Sequence, residues 1–266
     1  MIQELFVYPI KSCRGIKIQS TKVLKNGFEF DRNWMIVDEK NIFLSQRKLP
    51  QMALISVELK PEKLRLSFPG FTSIEIDLDY MGEIISCTVW KSNVRCYKYS
   101  SEINNWLSQC LGVNCSLVKI ESHDARIYKL STRELPYEVT FADSAPVLIA
   151  NRKSFDAFTH GKLNSTEILR LRPNIIVETP VAFEEFQWKH LQSKSVGFEV
   201  LGPCTRCTLI EVDQNTGEKG LKFFKSLSDF LKENGHAGAV DFGMKLIPKS
   251  EGFLAQGDEI RMSLKA

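Results

Sequence analysis

Short alternating or apolar runs, each closed by turn residues, crowd the first hundred positions of this chain. Residues 2–8, 16–23, 34–38, 52–59, 64–67, 74–76, 83–89 and 94–99 all have this form, and such runs predict strands. Strands spaced this closely predict a barrel or a strongly curved sheet. Asp38-Glu39-Lys40-Asn41 reads as a hairpin tip before 42–44. One helix interrupts the pattern. Ile103, Trp106, Leu107 and Cys110 recur at helical spacing, Ser100 or Ser101 can cap the start, and Gly112 can end it. Residues 117–120 read as the next strand.

From His123 to Glu138 the chain is polar and charged, with Pro136 inside. This stretch reads as a junction, dividing the chain into an N-terminal β-barrel-like domain (1–122) and a second domain (123–266). In the second half, 147–150, 175–177, 186–190, 195–200, 208–212, 242–247 and 258–262 read as strands. A short helix carries Phe155 and Phe158 on one face, and Leu221, Phe224, Leu227 and Leu231 form a helical stripe closed by Gly235. The fold class is α+β, mostly β, in two barrel-like parts with few short helices.

Composition narrows the function classes. A chain of 266 residues, 43% of them hydrophobic, can bury a substantial core. Net charge is +3, from 35 basic and 32 acidic residues, so no broad positive field favours nucleic acid. No apolar run approaches the roughly 18 residues of a membrane span. The first residues read as a strand, with Glu4 where a secretory leader would be basic. Seven cysteines, an odd number, predict reduced thiols and a cytoplasmic location.

Chemistry concentrates at Pro203-Cys204-Thr205-Arg206-Cys207. The two cysteines fit a pair of buried thiols. Structural zinc would need two more ligands, and a redox dithiol would open a helix, whereas a strand is expected to follow. A thiolate binding a soft transition metal also fits. Separate turns supply cations. Lys11, Ser12 and Arg14 follow Pro9 and suit a phosphate or an anionic cofactor, as well as a solvated loop. Arg32 either pairs with Asp31 or grips an anion. Arg47 adds a cation at another strand end, and Arg172-Pro173-Asn174 presents planar donors. A metal-suited thiol together with these turns matches a phosphate-bearing dithiolene cofactor.

In this order, with Asp143-Ser144-Ala145-Pro146 and Val212-Asp213-Gln214-Asn215-Thr216-Gly217, the motifs resemble the MOSC superfamily with its N-terminal MOSC β-barrel domain. The likeness is to the branch of the mitochondrial amidoxime-reducing component and the bacterial YcbX-type proteins. The resemblance implies a molybdenum cofactor (Mo-molybdopterin) between the halves, with Cys207 as the catalytic thiolate ligand to the metal. It places Lys11, Ser12, Arg32, Arg172 and Asn174 on the pterin or its phosphate, Ser144 at a hydroxyl-bearing cofactor position, and Thr205 and Arg206 in the loop that meets the cofactor. Arg47 joins them as a cofactor-binding cation, and Cys204 takes a structural role. Ala145 and Lys245 depart from the family pattern. The implied activity is reduction of N-hydroxylated compounds such as hydroxylaminopurines and amidoximes. Electrons would come from a separate flavin or iron–sulfur reductase, because no ferredoxin-like tail follows. The alternative is a cofactor carrier or sulfur-delivery module without independent catalysis, since MOSC domains also occur on cofactor sulfurases.

Overall fold

The computed structural model describes residues 1–121, 125–129, 133, 135–220, 222–236 and 238–265. It is mostly strand, and its largest sheet has eight. In spatial order these are Ile16–Ile18, Ile2–Val7, Ile175–Val177, Val147–Asn151, Asp241–Pro248, Gly197–Thr205, Trp188–Gln192 and Arg261–Leu264. The β-branched Ile175-Ile176-Val177 lies inside it, antiparallel to Ile2–Val7 and parallel to Val147–Asn151. Alternation sends Ile175 and Val177 into one core cluster and Ile176 into another. Burial on both faces is what a continuously apolar run requires.

One face is closed by a small sheet of Gly252–Ala255, Ser20–Leu24 and Gly27–Phe28, which adds Leu254, Val23 and Phe28 to that cluster. Helices Arg152–Thr159 and Phe223–Glu233 cover the other. There Phe155 meets Phe242 edge-on, with ring centres 6.3 Å apart. The buried stripe of the second helix is Phe223, Leu227 and Leu231. Phe224 is only half-buried, and Leu221 lies outside the described residues.

A second body uses residues 34 to 120. Its four-stranded sheet runs Trp34–Asp38, Cys115–Ile120, Ser92–Lys98, Glu83–Val89, and its three-stranded sheet Ser56–Lys60, Lys63–Ser67, Ile74–Asp77. Trp34–Asp38 shows a strand's two-residue period: Trp34 and Ile36 enter one cluster, Met35 and Val37 another. Helix Ser101–Leu111 ends at Gly112, whose φ of 66° closes it in the left-handed region.

Several expected elements change form. Residues 52–59 are not one strand. Pro50 starts a 3-10 turn, Pro50–Leu54, and the strand begins only at Ser56. Residues 208–212 form a 3-10 turn, Thr208–Glu211, which buries Ile210 and lets Glu211 accept from the Phe224 amide at 3.2 Å. Tertiary packing there overrides the β-branched pattern. Residues 16–23 split at Gln19, because the chain leaves one sheet for another. The stretch read as a junction contains a hairpin, Arg126–Tyr128 with Tyr137–Val139, while His123 lies outside the described residues.

Candidate functional site

Strand ends from both bodies surround one cleft of about 920 Å³, mouth included. The ten residues that the resemblance assigned to the cofactor line it: Lys11, Ser12, Arg32, Arg47, Ser144, Arg172, Asn174, Thr205, Arg206 and Cys207. Arg14, also read as suiting a phosphate, is not among the lining residues and donates instead to the Gln214 carbonyl at 2.8 Å. Cys204 and Lys245 line it too. Among the described residues, six lining side chains are cationic and one, Asp143, is acidic. A whole-chain charge of +3 conceals this concentration.

The deepest part is built on Tyr8, which is buried and precedes Pro9. The guanidinium carbons of Arg32 and Arg172 each lie 4.3 Å from its ring centre. Both arginines and Ser12 have left-handed backbones, with φ of 51°, 55° and 66°. Non-glycine residues rarely take this conformation, and it collects at sites where geometry serves a ligand. Arg32 is paired with Asp31, as the sequence allowed. It also donates to Asn174 Oδ1 at 3.0 Å and to the Arg172 carbonyl at 3.2 Å. Asn174 is fully used inside the protein, since its amide donates to the Phe6 carbonyl and to Asp31 and its oxygen accepts from the Leu148 amide.

Arg172 donates through Nη1 to the Cys13 carbonyl at 2.7 Å, whereas Nη2 is buried with no hydrogen-bond partner among the described residues. Burial, and then the adjacent Arg32 cation, push Arg172 down to about 10, still charged at neutral pH. Burial drives the Tyr8 hydroxyl up to about 12, against the pull of the two guanidinium groups. Asp31 is also raised by burial, although Arg32 and hydrogen bonds from Tyr8 and Asn174 oppose this. A buried, incompletely satisfied cation pair with one carboxylate behind it has donor capacity that an oxyanion could take up.

Nearer the mouth, buried Lys11 is paired with Asp143 and donates to the Phe141 carbonyl at 2.7 Å. Burial lowers Lys11, and Asp143 opposes that shift. Burial alone would raise Asp143, but the Lys11 ammonium holds it well below the usual carboxylate range. Arg126 has no carboxylate partner among the described residues. It braces this segment through the Ala142 carbonyl at 2.6 Å and the Tyr128 hydroxyl at 2.7 Å.

The sulfur sits where a strand gives out. Gly197–Thr205 pairs with Asp241–Pro248, but its register slips around Gly202 and Pro203. Gly202 has φ 132° and Pro203 lacks an amide donor. The loop is then pinned: the Thr205 hydroxyl donates to Asp241 at 2.6 Å and the Arg206 amide to the Val240 carbonyl at 2.7 Å. Cys207 is exposed, Cys204 is half-buried, and the other five cysteines are buried; all seven are free. Arg47 Nη1 approaches the Cys207 sulfur at 3.9 Å, and Arg206 Nη1 lies 3.1 Å from that of Cys204. Arg206 Nε is buried without a partner among the described residues.

Residues 1–114 match the family described as the MOSC N-terminal beta barrel domain, and residues 136–261 match the MOSC domain. The chain is a MOSC-domain protein. Human molybdenum cofactor sulfurase is 30% identical to it over 293 residues, which cover 100% of this chain and 32% of the human protein. Molybdenum cofactor sulfurase 3 of Aedes aegypti is 30% identical over 264 residues, covering 92% of this chain and 33% of the relative. The MOSC chain thus spans about one third of the length of the curated relatives it matches. Among solved structures, the YUAD protein from Bacillus subtilis is 12% identical, covers 97% of this chain and 92% of its own, and has a TM-score of 0.44.

The MOSC cleft also uses residues whose roles the sequence concealed. Tyr8, Asp143 and Trp90 matter only through partners far along the chain, such as Lys11 with Asp143. Gln46 and Gln214 exchange two amide hydrogen bonds, of 3.1 and 2.9 Å, joining the bodies behind the cleft. The one readable hint is the short distance of each residue from a Pro or a cationic turn.

Proposed function

We propose that this chain is a molybdenum-cofactor-binding module that serves sulfur delivery, rather than a free-standing reductase. One observation carries the reading: an exposed cysteine sulfur stands in a cleft whose walls hold six cations and one acid. The residues fit an anionic, phosphate-bearing cofactor. Arg172 Nη2 and Arg206 Nε are buried donors without partners, which an oxyanion would satisfy. Among the described residues, no three His, Cys, Asp or Glu side chains gather into a metal-binding group. A metal at Cys207 would therefore take its other ligands from the cofactor. When bound, the cofactor supplies the molybdenum and the dithiolene sulfurs that grip it.

The chain's own residues then divide the work. Lys11, Ser12, Arg32 and Arg172 hold the phosphate end, Ser144, Thr205 and Arg206 border the pterin, and Arg47 stands beside the reactive sulfur. Asn174 fixes Arg32 through its amide oxygen. Cys207 presents sulfur to the cleft, either as its own thiolate or as a persulfide. Relatives named molybdenum cofactor sulfurase support delivery over reduction of N-hydroxylated compounds.

The test is to purify the protein from a molybdenum-replete host and measure bound molybdenum, pterin and Cys207 persulfide. Reduction of a hydroxylamine is then assayed with an artificial electron donor. Bound pterin with a Cys207 persulfide, or bound metal without turnover, supports delivery. Stoichiometric metal with turnover that vanishes in Cys207→Ala overturns it in favour of a reductase fed by a flavin or iron–sulfur donor.

A further inference from the structure

Asp143 runs against the charge of its surroundings. Among the described residues it is the one acid lining walls that carry six cations. Its side chain is 56% exposed, while that of its partner Lys11 is 7% exposed. Its Oδ1 accepts from Lys11 and, at 3.1 Å, from the Trp90 indole. The backbone of Asp143 is anchored separately, its carbonyl accepting from the Tyr128 hydroxyl at 2.6 Å. The carboxylate can therefore rotate into solvent while the segment stays in place.

Trp90 gives a second observation. It has φ 57° at the tip of the hairpin joining Glu83–Val89 to Ser92–Lys98. Glycine or asparagine takes that conformation at far less cost. The indole is 42% exposed, packs on Phe43 with ring centres 5.0 Å apart, and carries the Arg47 guanidinium 4.5 Å above it. Asp143 thus ties a strained rim residue to the buried Lys11 ammonium.

An anion entering the cleft is repelled by Asp143 and finds Lys11 already paired. A singly charged anion would only exchange one charge for another at Lys11, whereas a dianion gains. We propose that Asp143 is a displaceable counter-ion, so that a dianionic phosphate monoester takes Lys11 from it and the carboxylate turns outward, releasing the Trp90 indole. Asp143 then sets a charge threshold for ligands and couples their arrival to the rim. This rests on the cleft taking an anion, as proposed for its function.

The experiment uses the full chain, with inorganic phosphate as the dianion probe and dimethyl phosphate as the monoanion, followed by calorimetry and tryptophan emission. Phosphate should bind the wild type and change its emission. The change should be absent in Trp90→Phe, where Trp34, Trp106 and Trp188 remain, although phosphate still binds. Asp143→Asn should bind phosphate about fivefold more tightly and should bind dimethyl phosphate, which the wild type does not. Unchanged or weaker phosphate binding in a folded Asp143→Asn protein overturns the proposal. Should that variant not fold, an unaltered wild-type emission on phosphate binding overturns it equally. If phosphate fails to bind the wild type, or binds Lys11→Ala and Arg172→Met as tightly as the wild type, the anion-binding reading itself fails.

Discussion

Arg32 and Arg172, 140 residues apart, lie at the same distance of 4.3 Å from the centre of the buried Tyr8 ring. Like charges at such quarters repel, and burial costs each of them hydration. Asp31 answers only one of the two charges. The arrangement stores electrostatic strain, which the anion proposed for the cleft would relieve. Stability alone would not maintain it.

Arg172→Met therefore separates binding from stability. Phosphate affinity should fall more than tenfold, because a charge-assisted bond is lost. The melting temperature should change little, because relief of the repulsion from Arg32 offsets the stranding of the Cys13 carbonyl. Calorimetry and thermal unfolding on the same preparation check both.

Gln46 is fully buried, and its amide also donates to the Ser12 carbonyl at 2.8 Å. Gln46→Leu strands that carbonyl and the Gln214 side-chain oxygen, leaving the Gln214 amide its bond to the Val212 carbonyl. Urea unfolding should show a loss of about 2 kcal/mol, with weaker phosphate binding because Ser12 lines the cleft.

Asp213 braces the loop behind Cys207. Burial alone would raise its carboxyl. The amides of Thr216 and Asn215 and the Arg170 guanidinium outweigh that and hold it below the ordinary range. A lowered folded value contributes stability above the unfolded value, about 3.9, and loses it as pH falls through the folded one. The melting-temperature gap between wild type and Asp213→Asn should be open at pH 7 and close below about pH 4.

Exposure ranks the thiols. Brief iodoacetamide treatment of the folded protein should label Cys207 first and Cys204 more slowly, with Cys13, Cys87, Cys96, Cys110 and Cys115 protected. Peptide mass spectrometry reads the order, and equal labelling of a buried thiol would contradict the packing.

Much of the site was legible because its residues stand at strand ends marked by Pro or Gly, as Lys11 follows Pro9 and Cys204 follows Pro203. What escaped were pairings. Asp143 matters through Lys11, 132 residues earlier, and no local pattern carries such a distance. Thr208–Glu211 misled for a related reason. Its β-branched run suits a strand, yet the Phe224 amide and the pocket around Ile210 select a turn. Arg32 shows two readings coexisting, since it is paired with Asp31 and also borders the cleft.

The strand Ile2–Val7 finds one of its neighbours in Ile175–Val177. Its other neighbour, Ile16–Ile18, follows at once along the chain, yet Ile175–Val177 emerges only some 170 residues later. Over that interval the edge of the first strand that faces Ile175–Val177 stays unpaired, which favours slow closure and leaves an apolar segment open to chaperones. Expressed alone, a fragment ending near residue 120 would keep this segment permanently without its mate.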